Sequence, residues 1–203
     1  MITQKCFQDF WKSKYGEIPP LSHILREFFT NKWFRIHSLP DSKRYAENDV
    51  EMQIILNRQN ILISDLFGSH KAYLLLFYTI SKKPESARIN QISNVIMLNN
   101  IRLDIALPEY YDYECYFVSG FVNKIWEATS IDTCLEKIAN YEMITSFDAC
   151  ECYFSHILII DISRNRIIAP YDGGVDIFLN TQCERDFFKS KYKDWLSTHE
   201  CGL

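Results

Sequence analysis

The densest set of side chains that could ligate a metal ion or act as a nucleophile lies near residue 150. Cys150, Cys152 and His156 alternate along an expected strand and therefore share one face. However, Cys152 and His156 are ~13 Å apart at about 3.3 Å per residue, too far for one metal ion or one proton transfer. No second cluster supplies the missing ligands. We therefore interpret these residues as core thiols and a strand histidine, and predict neither a metal nor a cofactor.

Other catalytic patterns are equally incomplete in this sequence. No Glu-x-Lys pair occurs, and the single Asp-x-Lys, Asp41-Ser42-Lys43, follows Pro40 in an expected loop, so a nuclease centre is not indicated. The other histidines lie near expected element ends, outside any known nucleophile motif: His23, His37, His70 and His199. We assign no catalytic residue. An active site assembled only in three dimensions stays open as an alternative.

Two adjacent glycines lie in segment 171–176, where a phosphate-binding loop could be suspected. Neither a Lys nor a Ser or Thr directly follows them, so the phosphate-binding mechanism lacks its parts. We interpret the segment as a tight structural turn, in which glycine takes a positive φ and the aspartate bonds neighbouring amides. The turn residues in this interpretation are Tyr171, Asp172, Gly173, Gly174 and Asp176.

Apolar periodicity predicts the elements that must position these residues. Helical spacing predicts helices over about 3–14, 49–67, 132–141 and 184–196, the last with Phe187, Phe188, Tyr192 and Trp195 facing inward. Apolar runs predict strands over 33–37, 71–81, 115–123 and 152–162, a returning strand over 167–170, and weaker strands over 94–98 and 101–105. This order predicts an α+β fold, a mostly antiparallel sheet with helices packed on it and with strands 71–81 and 152–162 at its centre.

Length and composition fit one domain over residues 1–203, with a helical lead over about 1–30. Seven cysteines, odd in number and without a Cys-x-x-Cys pair, indicate reduced thiols and a cytoplasmic location. The first six residues lack the charged and apolar regions of a signal peptide. No apolar run approaches the ~20 residues of a membrane span, so no membrane partner is expected.

Charge is distributed unevenly along the chain. Residues 101–151 hold ten acidic and three basic side chains, a net charge of −7. The rest of the chain holds sixteen acidic and nineteen basic ones, a net charge of +3. A nucleic-acid footprint is basic, so the acidic segment argues against a nucleic-acid partner and suits a basic protein partner.

The acidic segment contains the stretch that best fits a protein interface. Three tyrosines and three acids follow Pro108 over residues 109–114. Tyrosine offers a large contact area with a polar tip, and carboxylates beside it suit a partner rich in Lys and Arg. The candidate contact residues are Asp104, Glu109, Tyr110, Tyr111, Asp112, Tyr113, Glu114, Asp148 and Glu151. A solvated acidic loop is the alternative.

Three features together resemble a bacterial family of unknown function. They are the helix 49–67 with its following strand, the hairpin 157–169 leading into segment 171–176, and the closing residues 191–196. The family's C-terminal signature reads Tyr-Asp-Asp-Arg-Gly-x-Asp, followed by an amphipathic helix ending in Tyr-x-x-Trp. Here the turn is one residue shorter and lacks the Arg. The resemblance covers roughly residues 46–81 and 150–196.

Members of this kind occur among the immunity proteins of contact-dependent growth inhibition and other polymorphic toxin systems. The resemblance therefore implies a non-enzymatic immunity protein that binds a cognate secreted toxin. The acidic segment favours a basic nuclease domain as that toxin. Such a protein would cover the toxin's active site or substrate groove. The alternatives are an enzyme with a site formed only in three dimensions and a generic protein-interaction module.

Overall fold

A computed structural model describes residues 4–68, 73–80, 101–103, 115–122, 132–140 and 156–196. The helices are α1 (Gln4–Tyr15), α2 (Ser22–Phe28), α3 (Asp49–Phe67), α4 (Asp132–Ala139) and α5 (Gln182–Lys191), with 3-10 turns at Thr30–Lys32, Pro40–Ser42 and Lys193–Trp195. The strands are β1 (Trp33–His37), β2 (Tyr73–Ile80), β3 (Ile101–Leu103), β4 (Cys115–Val122), β5 (His156–Asp161), β6 (Arg166–Tyr171) and β7 (Gly174–Phe178). Among these residues, the helices are too short or too polar to cross a bilayer.

The strands form one sheet in the order β1-β7-β6-β5-β2-β4-β3, and every pairing between described strands is antiparallel. The first strand therefore pairs with the last, and β3 forms the opposite edge. The strands β2 and β5 are neighbours near the centre, as their apolar density predicted. The α+β prediction of an antiparallel sheet with helices packed on it is confirmed.

Helices cover both faces of the sheet, which explains why its central strands read as continuous apolar runs. On the α3 face, α3, α4 and α5 pack over residues such as Ile159, Ile168 and Ile177. On the opposite α1–α2 face, Phe7 and Trp11 of α1 belong to a second core with Leu158. Alternation along each strand sends successive side chains to the two cores.

The helix α3 begins and ends where its sequence predicts. The side chain of Asn48 accepts a hydrogen bond from the backbone N–H of Glu51 at 3.0 Å, a normal N-cap. The carboxylate of Glu51 accepts one in return from the N–H of Glu47 at 2.8 Å. Gly68 then ends the helix with φ 59°, a left-handed conformation that glycine adopts without steric strain.

Other boundaries differ from the sequence prediction. The fifth strand begins at His156, and residues 152–155 lie outside the described part of the chain, as does the expected strand 94–98. The C-terminal helix ends at Lys191, and a 3-10 turn follows it. The prediction that Phe187 faces inward is wrong, since this side chain is 65% exposed. Phe188 and Tyr192, four residues apart, form the buried stripe instead.

The prediction of a positive φ at the Gly-Gly turn is also wrong. Among the described residues, positive φ occurs at Gly16, Asp41, Ser42, Asn165 and Gly68, but at neither Gly173 nor Gly174. Gly174 is required because the position has no room for a side chain. A Cβ on this residue would lie 2.1 Å from the carbonyl oxygen of Ile36 in the neighbouring strand β1. Glycine is needed here because two backbones approach closely.

Candidate functional site

The proposed contact residues of the acidic segment all lie outside the described part of the chain: Asp104, Glu109, Tyr110, Tyr111, Asp112, Tyr113, Glu114, Asp148 and Glu151. The elements that flank them in sequence are described. The strands β3 and β4, on either side of residues 104–114, form the edge of the sheet opposite β1. On α4, Glu136 is exposed.

Segment 171–176 lies at the end of the β6–β7 hairpin. Tyr171 ends β6, and Gly174 begins β7, which also carries Asp176. Only Asp172 and Gly173 form the turn itself. The carboxylate of Asp172 accepts hydrogen bonds from the N–H of Gly173 at 2.8 Å and from the Arg44 guanidinium at 2.7 Å. Asp172 therefore joins the hairpin to the segment between β1 and α3.

A buried ion pair connects β1 and β7 beside this turn. The Arg35 guanidinium donates to both carboxylate oxygens of Asp176, at 2.8 and 3.0 Å, and the indole N–H of Trp33 donates to the same carboxylate at 2.9 Å. The Arg35 and Asp176 side chains are 13% and 4% exposed. Burial lowers the pKa of Arg35, but the hydrogen bond and charge of Asp176 outweigh it and raise that pKa. The hydrogen bonds of the pair are satisfied within the fold.

The same face carries further titratable side chains beneath α2. The Arg35 guanidinium lies 4.5 Å from the ring centroid of Tyr171. Burial raises the pKa of Tyr171, so its phenol stays protonated. Burial, followed by the nearby charge of His23, lowers the pKa of His156 to about 4. His156 is therefore neutral at neutral pH.

The neutral state of His156 predicts a dependence of stability on pH. The pKa of His156 in the folded chain lies below the ordinary value of 6.5. Between these two pKa values, the unfolded chain binds a proton at this residue and the folded chain does not. The contribution of neutral His156 to the free energy of unfolding is fully present above pH ~6.5. It decreases as the pH falls toward about 4, by up to about 3 kcal/mol in total. Urea unfolding between pH 7 and pH 4.5 measures this loss.

The matched variant is His156→Gln, which keeps a polar side chain but cannot titrate. It should unfold with a shallower pH dependence than the wild type over this range. The variant should keep part of the pH dependence of stability, because His23 and His37 also have lowered pKa values. Equal slopes in the variant and the wild type would contradict the burial of a neutral His156.

A groove of about 360 Å³ opens at the β1 edge of the sheet. Residues from β1 and its following turn, from α3 and from the C-terminal 3-10 turn line it: His37, Leu39, Pro40, Asp41, Ser42, Arg58, Asp194, Trp195 and Leu196. Its size is at the lower end of small-molecule sites, which span roughly 300–1,000 Å³. The described residues thus include a recess that brings together three separate parts of the chain.

The guanidinium of Arg58 is held in place within this groove. One N–H donates to the carbonyl oxygen of His37 at 3.1 Å, and the guanidinium lies 5.2 Å from the Trp195 ring centroid. Trp195 stacks in turn on Tyr192 at 4.9 Å between centroids. Burial lowers the pKa of Arg58, which nevertheless stays a cation at any physiological pH.

The backbone and polar atoms of the groove wall are unusual in two respects. Asp41 and Ser42 both adopt left-handed φ, at 56° and 58°, and such conformations in residues other than glycine cluster at functional sites. The Nε2 atom of His37 is buried and has no hydrogen-bond partner among the described residues. Buried polar atoms are normally satisfied, so an unpartnered one in this wall is uncommon.

Comparison with known families places this chain in a group described as a domain of unknown function. The family model for this group, DUF3885, matches residues 21–200. The chain belongs to the DUF3885 family. No curated protein and no solved structure shows a significant match. The matched residues include the sheet, the Asp176 pair and the groove, and the family description names no activity.

Within this DUF3885 domain, the described residues contain no group of three or more histidines, cysteines or acids arranged to hold a metal. Cys150 and Cys152 lie outside the described part, so their relation to His156 stays a prediction. Cys183 is a free, exposed thiol. The feature of the described residues that could bind a ligand is the groove beside β1, in which the guanidinium of Arg58 is held in place.

Sequence reasoning did not assign a ligand-binding role to Arg58, Trp195 or His37. One signal was present, because Arg58 occupies a helical position among the apolar residues of α3, where a charged side chain must find a polar environment. The partner Trp195 lies 137 residues later in the chain, and no local pattern joins the two.

Proposed function

We propose that this protein binds another protein and acts as an immunity protein, neutralising a cognate secreted toxin by covering its active site or substrate groove. The observation that carries the proposal is the net charge of −7 in residues 101–151, against +3 in the rest of the chain. The acid and tyrosine content of residues 104–114 supplies the candidate contact surface.

The topology bears on four of these acids, Asp104, Glu109, Asp112 and Glu114, which lie between two adjacent strands in the sequence. Both strands that flank residues 104–114 belong to the β3–β4 edge, and the other end of the sheet is β1. Many charged residues elsewhere are already paired within the fold, including Arg35 with Asp176 and Arg166 with Glu184. A partner attracted by charge would therefore approach the acids of residues 104–114.

The class of partner follows from electrostatics. A nuclease must attract phosphates, so its substrate groove is basic. An acidic inhibitor would be steered toward that groove and would associate faster at low salt. Tyrosines at the centre of the contact would then slow dissociation, because aromatic residues are enriched among binding hot spots.

Charge reversal at the edge of the proposed interface tests the steering. Glu109→Lys should slow association with the toxin domain and weaken its salt dependence, with little change in the dissociation rate. By contrast, Tyr111→Ala with Asp112→Ala should mainly speed dissociation, by about 30-fold for a hot spot. Surface plasmon resonance against a candidate cognate toxin domain, at several salt concentrations, measures both.

The matched control is Asp9→Lys, the same type of charge reversal at an exposed position of α1. It should leave both rates close to those of the wild type. The proposal fails if the toxin domain does not co-purify with this chain. If the interface variants keep wild-type rates and salt dependence, the assignment of these residues to the interface is wrong.

A further inference from the structure

Arg58, like Arg26, lacks the carboxylate partner that most arginines of the described residues have. Five of them lie within salt-bridge distance of a carboxylate: Arg35, Arg44, Arg164, Arg166 and Arg185. Within the described ranges, Arg58 has no acidic partner within 4.0 Å. It is partly withdrawn from water all the same. A partly desolvated cation without a counter-ion favours an anionic ligand.

The position of Arg58 is fixed before any ligand arrives. Trp195 lies beneath the guanidinium, Tyr192 supports Trp195, and the Tyr192 hydroxyl donates to the Asp65 carboxylate on α3. Because only one N–H of Arg58 is used by the His37 carbonyl, the other donors can point into the groove. A guanidinium held in this way loses little side-chain entropy when it binds a carboxylate in two-point contact.

Two carboxylates line the same groove without pairing with Arg58. Asp41 and Asp194 are both exposed, and neither forms an ion pair with any described residue. The groove therefore presents one cation and two anions that do not reach each other. A polyanion such as phosphate would be repelled by the two aspartates, and a simple cation would leave Arg58 without a counter-ion.

We propose that this groove binds a small zwitterion with the chemistry of a free α-amino acid. The ligand's carboxylate pairs with the Arg58 guanidinium, and its ammonium group is attracted by Asp41 and Asp194. Leu39 and Leu196 supply apolar wall. This inference goes beyond the partner-binding proposal and does not depend on it.

The left-handed backbone at Asp41 and Ser42 is consistent with this role. This conformation is strained in residues other than glycine, so the surrounding structure must hold both residues in place. The conformation directs the turn after β1 along the groove wall, where both residues take part in the lining. Pro40 precedes them and limits the alternatives open to the turn.

Calorimetric titration of the full chain with a panel of free α-amino acids tests the proposal. Acetate and methylamine serve as probes that carry only one of the two charges. We expect at least one amino acid to bind and both single-charge probes to bind much more weakly. No heat from any amino acid up to about 10 mM would overturn the proposal. Equal binding of acetate and the amino acid would overturn it as well.

Variants assign the binding to the groove. Arg58→Lys should weaken it by about tenfold to a hundredfold, because a point charge replaces the two-point contact of the guanidinium. Asp194→Asn changes an exposed position and should not affect folding. It should weaken the binding of the amino acid but leave the binding of acetate unchanged. The matched control is Arg26→Lys, since Arg26 also lies over a tryptophan but does not line the groove. Unchanged affinity in the Asp194→Asn protein would contradict the assignment.

Discussion

Replacing Gly174 by alanine is expected to destabilise the fold by about 3 kcal/mol or more, one of the two largest effects predicted here. The added Cβ would lie 2.1 Å from the carbonyl oxygen of Ile36 and 2.9 Å from the hydroxyl of Tyr171. The first of these is a backbone atom of the paired strand and cannot rotate away. Relief requires that β1 and β7 separate where they are hydrogen-bonded.

The neighbouring glycine provides the control for this prediction. A Cβ at Gly173 would meet the Arg44 side chain at 3.1 Å and the Tyr171 ring at 3.2 Å. The first contact is flexible, so Gly173→Ala should lose much less stability, on the order of 1 kcal/mol. Urea unfolding of both variants measures the difference. Equal losses would mean that the turn conformation, rather than the strand approach, sets the requirement for glycine.

Local patterns were sufficient to predict most of the described elements. The spacing of Asn48, Glu51 and Gly68 marks both ends of α3, because capping depends on residues adjacent to the helix. Apolar runs located β2 and β5 at the centre of the sheet, because a strand covered on both faces has no polar side. Pairing of the first strand with the last has no such local signal, and sequence reasoning did not find it.

The same limit explains why the groove was missed. Its wall combines His37 of β1, Arg58 of α3 and Trp195 near the C-terminus, which meet only after the sheet has formed. The sequence prediction for Asp41-Ser42-Lys43 went no further than a loop, since left-handed φ at an aspartate and a serine is rare and cannot be read from residue type. The charge imbalance, by contrast, is a property of composition and needs no structure.

The strands β3 and β4, which flank residues 104–114 in the sequence, form one edge of the sheet, whereas the groove adjoins β1 at the other edge. Mutations at one proposed site should therefore not disturb the other, because distant sites without shared contacts are energetically independent. This separation lets a toxin-binding assay and an amino-acid titration fail or succeed independently of each other.

Removing the Asp176 carboxylate is expected to have the other large effect. In Asp176→Ala, the Arg35 guanidinium would remain buried without its counter-ion, and the indole N–H of Trp33 would lose its acceptor. Breaking one side of a buried ion pair costs about 3–5 kcal/mol, so this variant should unfold at a much lower urea concentration than the wild type. Asp172→Ala is the control, because its partner Arg44 is 53% exposed and can return to water.

A double variant separates the charge from the packing. Arg35→Met combined with Asp176→Ala removes the uncompensated charge and leaves an apolar side chain between Trp33 and Tyr171. It should be more stable than Asp176→Ala alone, because most of the penalty in the single variant comes from the buried, unpaired cation. If the second change instead adds to the loss, the guanidinium contributes mainly through its contacts with the two aromatic rings, and the ion pair is the minor part of what joins β1 to the hairpin.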